Sequence, residues 1–103
     1  MSEPPRPIQP CRIVWQGIPI DVTYEANWLS MDGDGVTAHL EVRAENRRRL
    51  PFTETGYRSH FLPRGIVEAA GGSAAYVLAW LEEAAQSEDW RQYRNAESQL
   101  SLF

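Results

Sequence analysis

The sequence predicts an α+β fold: a small antiparallel meander of three or four strands packed against one main helix, with short extra helices and a C-terminal tail. Residues 36–45 alternate between apolar and polar side chains, which is the period of a strand with one buried face. Residues 74–86 follow Ser73 and repeat apolar side chains at helical spacing, which predicts a capped amphipathic helix. Turn signals separate the remaining segments.

The first part of the chain supplies the strands. Residues 12–15 predict a short strand, and Gln16-Gly17 predicts a turn. Residues 20–25 alternate in character, so they predict a half-buried strand that residues 28–31 continue or restart. Asp32-Gly33-Asp34-Gly35 is a strong hairpin signal between this strand and the strand at 36–45.

The helices follow in the second part. Residues 45–62 are predicted to be irregular, because they are basic and Pro51 interrupts any regular element. Pro63 can open a short helix through Ala70, which Gly71-Gly72 would end. The main helix then presents an apolar stripe made of Val77, Leu78, Leu81, Ala84 and Ala85. Ser87 with two acidic residues predicts a last, short helix that fades near Asn95.

Length and composition indicate a single domain of 103 residues. We expect a Pro-rich extended arm at residues 1–10, an α+β domain at 11–95 and a tail at 96–103. The sequence has no apolar run of membrane-spanning length, and its start lacks the plan of a signal peptide. The prediction is therefore a cytoplasmic bacterial protein that does not enter a membrane.

Metal and covalent chemistry are both disfavoured. A calcium loop beginning at Asp32 would need an acidic or Asn side chain at position 36 and a Glu at position 43, which hold Val36 and Arg43. The single Cys11 excludes a cysteine cluster, and the absence of Lys excludes a lysine nucleophile. We therefore predict no metal, no cofactor and no catalytic residue.

Charge is distributed unevenly around a net value of −4. Residues 43–64 contain six of the ten Arg and only two acids, whereas the segments on either side are acidic. The compact cluster Arg47-Arg48-Arg49 is predicted to be a solvated loop, with contact to nucleic acid phosphates as the alternative. An acidic protein should bind duplex DNA weakly or not at all.

The densest polar stretch is residues 53–61, which offers Glu54, Tyr57, Arg58, Ser59 and His60 as a candidate ligand site. Ser59 and His60 would point to opposite faces in a strand, so they cannot form a Ser–His pair unaided. Together with residues 67–72, the stretch resembles small uncharacterised bacterial proteins, which implies no activity. Tyr76 and Trp80, one turn apart on the main helix, are expected to pack on a neighbouring element rather than stack on bases.

The chain ends in Gln99-Leu100-Ser101-Leu102-Phe103. At every position this segment resembles the short peptide with which bacterial replication and repair proteins bind the DNA sliding clamp. The resemblance implies that Gln99 fixes the register, that Leu100 fills a shallow pocket and that Leu102 and Phe103 together fill a deeper one. The open alternative is that these side chains pack on the protein's own core.

Two function classes follow. The first is a protein recruited to the sliding clamp through residues 99–103, acting as an adaptor or inhibitor in replication or repair. The second is a small ligand-binding domain or enzyme whose site lies in residues 53–61. The first class is favoured over an enzyme, because the sequence shows no recognisable spacing of a nucleophile and a base.

Overall fold

The structure is a computed structural model that describes residues 8–31 and 35–100. Its strands form one antiparallel sheet in sequence order and are β1 (Ile8–Trp15), β2 (Ile18–Met31), β3 (Gly35–Ala44) and β4 (Tyr57–Pro63). The helices follow the sheet and are α1 (Arg64–Ala69), α2 (Ser73–Ala84) and α3 (Glu88–Leu100). The predicted α+β meander with one main helix and short extra helices is confirmed.

A two-residue turn joins β1 to β2. Trp15 pairs with Ile18, and the residues between them, Gln16 and Gly17, have φ angles of 48° and 78°. Two left-handed residues in a row match the twist of the flanking strands, which makes this turn a good hairpin connection. The predicted turn is confirmed, and β1 starts earlier than predicted, at Ile8. The rest of the predicted arm, residues 1–7, lies outside the described residues.

The long strand β2 continues past Glu25, as one of the two sequence alternatives predicted. Glu25 pairs with His39, whereas Leu29 pairs with Thr37, so the register shifts across a bulge between Glu25 and Leu29. A bulge bends its strand and increases the local twist. The hairpin signal at residues 32–34 lies outside the described residues.

The buried face of the sheet carries the core. Four alternate residues of β3 are almost fully buried, namely Ala38, Leu40, Val42 and Ala44. Residues of β1 and β2 on the same face, including Trp15 and Ile20, join Val77 and Leu81 of α2 in a single hydrophobic cluster. The period-2 and period-3.6 patterns of the sequence therefore identified the two faces that meet.

The expectation that residues 45–62 are irregular throughout is wrong, because β4 begins at Tyr57. Val42 pairs with Arg58 and Leu40 with His60, so polar residues occupy two core-side positions of β4, whereas the next one holds the buried Leu62. β4 is an edge strand of the sheet, with a neighbouring strand along only one edge. Edge strands can carry charged side chains that point inward. The loop before β4 contributes Leu50, which is fully buried.

The ends of the helices differ from prediction in two places. Ser73 is the first residue of α2 rather than its cap, because Gly72 takes the N-cap position and no side chain caps the helix. At α3 the Trp90 N–H donates to Ser87 Oγ at 3.2 Å, which confirms the predicted start. The helix does not fade near Asn95 but runs to Leu100.

Two contacts within the helix and one long-range contact accompany the extra length of α3. Glu97 accepts hydrogen bonds from Arg94 at 2.9 Å and from the Tyr93 hydroxyl at 2.9 Å. It also pairs with Arg48 at 3.5 Å. Arg48 lies in the loop after β3, so no local property of the helical segment indicates this anchor. The division of the chain into domain and tail stays a prediction.

Gly56, just before β4, is expected to tolerate no side chain. Its φ is 76°, and an added Cβ would lie 2.6 Å from the Arg47 carbonyl carbon. Gly56→Ala should therefore lower the free energy of unfolding by about 2 kcal/mol or more. Gly65→Ala in α1 is the matched control: nothing lies within 4 Å of its added Cβ, and the change should raise stability by about 0.5–1 kcal/mol. Urea denaturation of both variants measures the difference, and equal effects would contradict the prediction.

Candidate functional site

The strand β4 divides the predicted ligand residues between two faces of the sheet. Arg58 and His60 lie on the side of the helices, opposite Val42 and Leu40. Tyr57 and Ser59 lie on the other side, because side chains alternate along a strand. Glu54 precedes the strand and lies in the loop. The five predicted residues therefore do not form one site.

Arg58 and His60 line an open cleft of about 730 Å³ between β4 and α2, which we call the β4–α2 cleft. The remaining lining residues are Tyr76, Trp80, Glu83 and Ala84 of α2 and Ser87 in the turn before α3. The sequence pointed to the β4 residues by their chemical type. It could not indicate that α2 completes the cleft, because this depends on how the helix packs against β4.

Trp80 is the centre of an aromatic group in this cleft. Its ring stacks on Phe52 with centroids 4.1 Å apart, and it lies 4.8 Å from the His60 ring and 6.0 Å from Tyr76. The Arg58 guanidinium lies 5.6 Å from its centroid, in the range of a cation–π contact. The expectation that Trp80 packs on a neighbouring element is confirmed by these contacts.

Burial lowers the pKa of His60 below its ordinary value, and the positive charge of Arg58 lowers it further. Both effects favour the neutral form of the ring. The pKa of His60 in the folded state is below its ordinary value of 6.5. The contribution of the neutral ring to the free energy of unfolding is therefore fully present above about pH 6.5, and it is lost as the pH falls through the folded-state pKa.

An NMR titration of the His60 ring should consequently give a midpoint below 6.5. Arg58→Gln should move the midpoint up only part of the way, since burial is the larger cause and remains. Arg43→Gln, on the opposite face of the sheet, is the control and should leave the midpoint unchanged. A wild-type midpoint above 6.5 would contradict the prediction.

The opposite face of the sheet carries a different polar group. Ser59 Oγ lies 2.6 Å from His39 Nε2, and the Phe61 ring stacks on the His39 ring at 4.5 Å. Tyr57 donates its hydroxyl to Glu41 at 3.3 Å. The partner of Ser59 is thus a histidine of the neighbouring strand and not the adjacent His60, so the contact holds β3 and β4 together and places a hydroxyl beside a base.

Glu54 faces a second, smaller cavity of about 360 Å³. The residues of the 49–54 loop line it together with Ser87 and Asp89. Phe52, which stacks on Trp80, belongs to the lining of this second cavity. Glu54 is therefore placed with an acidic neighbour at the start of α3 rather than with Arg58 and His60.

The three arginines proposed as nucleic-acid contacts do not act as one exposed group. Arg48 pairs with Glu97, and the Arg49 guanidinium lies 4.8 Å from the centroid of Tyr93. Arg47 is exposed. Two of the three therefore attach α3 to the loop after β3.

The pKa of Tyr93 is raised, first by the hydrogen bond of its hydroxyl to Glu97 and then by burial.

The tail motif straddles the end of the described chain. The backbone of Gln99 and Leu100 forms the last turn of α3. Ser101, Leu102 and Phe103 lie outside the described residues. Whether the motif packs on the core or binds a partner therefore stays a prediction.

Among the residues that the structure describes, no group of three or more His, Cys, Asp or Glu side chains is arranged to hold a metal ion. None of the helices within residues 8–31 and 35–100 has both the length and the apolar character required to cross a bilayer.

Comparison with known proteins gives one family. The model of the family described as KlcB third domain matches residues 8–90, which is most of the chain. The chain belongs to this family. Neither the curated proteins nor the solved structures contain a significant match. The KlcB match covers the whole sheet, α1 and α2 and ends at Trp90, so residues 99–103 lie beyond it.

Proposed function

We propose that this KlcB third-domain protein is a small cytoplasmic bacterial protein that is recruited to the DNA sliding clamp through residues 99–103. There it acts as an adaptor or inhibitor in replication or repair. The observation that carries the proposal is the match of Gln99-Leu100-Ser101-Leu102-Phe103 to the clamp-binding peptide at every position. The apolar anchors of such a peptide usually supply most of its affinity.

The attachment of α3 supports this role. Trp90 packs against Trp15 with ring centroids 5.6 Å apart, which fixes the start of the helix on the sheet. An exposed ion pair between Arg48 and Glu97, at 3.5 Å, adds a second contact two turns later. The motif begins two residues after Glu97, so α3 leads directly into it. Helix ends fray readily, and the last turn can rearrange on a partner at little cost.

The family supports a recruitment role more weakly. Its description as a third domain indicates that in KlcB this unit is part of a longer protein. A unit that works beside other domains suits an adaptor. Since the family match ends at Trp90, the proposed clamp contact rests on a segment outside the matched residues.

Calorimetric titration of a purified bacterial clamp tests the proposal with two chains, the intact one and one that ends at Ser98. Only the intact chain should bind, because the shorter one lacks every anchor. Circular dichroism should show the same fold and closely similar melting for both, if the motif is a docking peptide. Equal clamp binding by the two chains, or no binding by the intact chain, would refute the proposal.

One observation favours the second class, a ligand-binding domain. Arg58 and His60, both in the stretch 53–61, line the β4–α2 cleft beside aromatic side chains. Charged and aromatic groups that converge in a cleft are typical of a ligand site. The clamp contact and a ligand site would lie on different parts of the chain, so the two classes are compatible.

A further inference from the structure

The β4–α2 cleft contains a cation, Arg58, that has no acidic partner within residues 8–31 and 35–100. Arg58 donates one hydrogen bond, from Nη1 to the Phe52 carbonyl oxygen at 3.3 Å. Among the described residues no carboxylate forms an ion pair with it, although Glu83 lines the same cleft. A guanidinium has five donors in a planar fork that matches a phosphate or a carboxylate. Arg58 can therefore receive an oxyanion.

The aromatic side chains give the cleft a flat wall. The Phe52 ring stacks on the Trp80 ring, with the ring centroids 4.1 Å apart and an interplanar angle of 25°. Arg58 and His60 also lie against Trp80, 5.6 Å and 4.8 Å from its ring centroid. Trp80 and Tyr76 are both only partly buried, so the remaining part of each ring borders the open space. Stacking against such rings is favourable for any planar heterocycle, since every base has a π-face. The wall thus favours a ring system near the oxyanion that binds Arg58.

The polar rim restricts the ligand further. Ser87 Oγ accepts the Trp90 N–H at 3.2 Å, which leaves the Ser87 O–H to donate. The Glu83 carboxylate can only accept, so it requires an N–H or O–H donor on the ligand. Burial and Arg58 both lower the pKa of His60, which favours its neutral form. The cleft is therefore lined by one cation, one carboxylate and aromatic rings.

We propose that the β4–α2 cleft binds a nucleotide whose base carries an exocyclic amino group, with the phosphate on Arg58, the base against Trp80 and the amino group on Glu83. Carboxylates accept such amino protons in base recognition. The cleft volume of about 730 Å³ lies in the usual range for small-molecule sites.

Two sources can supply this chemistry, a free nucleotide and a single strand of nucleic acid. The net charge of −4 opposes a polyanion, which favours the free nucleotide. This site does not depend on the clamp contact, because its lining residues end at Ser87.

The test uses the full chain labelled with ¹⁵N and titrated with AMP, CMP, UMP, adenosine and inorganic phosphate. AMP or CMP should shift the signals of residues 58–60 and 76–87 in a saturable way. UMP, adenosine and phosphate should each bind at least about fivefold more weakly, since UMP lacks the amino group, adenosine lacks the phosphate, and inorganic phosphate lacks both the base and the amino group. A short oligoadenylate that binds more tightly than AMP at the same signals identifies a single strand as the source; weaker binding identifies the free nucleotide.

Variants assign the contacts. Arg58→Gln should weaken AMP binding about tenfold, because a charge-assisted contact to phosphate is lost. Glu83→Gln should weaken AMP binding but leave UMP binding unchanged, which a merely structural role would not produce. Arg91→Gln, on the exposed surface of α3, is the matched control and should bind as the wild type does. No saturation by any nucleotide up to about 10 mM, phosphate binding as tight as AMP binding, or full AMP affinity in Arg58→Gln would each overturn the proposal.

Discussion

Phe103→Ala should weaken binding to the sliding clamp by about thirtyfold or more. In the proposed complex Leu102 and Phe103 fill one pocket together, and truncating a buried aromatic anchor commonly costs about 2 kcal/mol or more. Gln99→Ala should have a smaller effect, because a single neutral hydrogen bond contributes only about 1 kcal/mol net. Calorimetry with purified clamp measures both losses on the same scale.

The controls separate a docking peptide from a piece of the core. Phe61→Ala removes another aromatic ring, which is 53% exposed and lies on β4, and should leave clamp binding unchanged. Ser101→Asp should be tolerated, since the family motif accepts Asp at that position, whereas Ser101→Trp should not be. The fold should survive all of these changes. Equal clamp binding by Phe103→Ala and the wild type, or unfolding of Phe103→Ala, would show that Phe103 has a different role.

The sequence predicts those elements of the fold whose pattern of apolar residues results directly from the burial of one face. The apolar positions of β3 alternate because a single face of the strand is buried, and Leu40 and Val42 are indeed fully buried. The sequence does not reveal β4, because β4 lacks the apolar alternation that identifies β3. Its core-side positions 58 and 60 face a cleft rather than a packed core, so they are polar and break the alternation.

The candidate site was predictable only by chemical type. Arg58 and His60 were recognised as functional types, but their separation from Tyr57 and Ser59 follows from a strand that the sequence did not reveal. The role of Arg48 and Arg49 depends on α3, more than 40 residues away in sequence, where Glu97 and Tyr93 lie. Such contacts arise from topology, and no local composition indicates them.

The second large effect concerns the attachment of α3. Trp90 is only 3% exposed and packs against Trp15 and Tyr93, with ring centroids 5.6 Å and 5.2 Å away. Trp90→Ala removes this contact and leaves a cavity, so it should lower the free energy of unfolding by about 3–5 kcal/mol. This is a large share of the roughly 5–15 kcal/mol that stabilises a typical domain. Guanidinium denaturation followed by circular dichroism measures the loss.

Substitution of each tryptophan by phenylalanine tests the packing at higher resolution. Trp15 Nε1 donates to Glu82 at 2.8 Å, whereas Trp90 Nε1 is buried and has no hydrogen-bond partner in the described part of the chain. Trp15→Phe therefore loses a hydrogen bond to a charged group, but Trp90→Phe loses a buried donor that was already unsatisfied. Trp90→Phe should consequently cost less stability than Trp15→Phe, although Trp90 is the more buried position by a small margin. A larger loss for Trp90→Phe would mean that the shape of the indole, rather than its N–H group, determines how α3 is held.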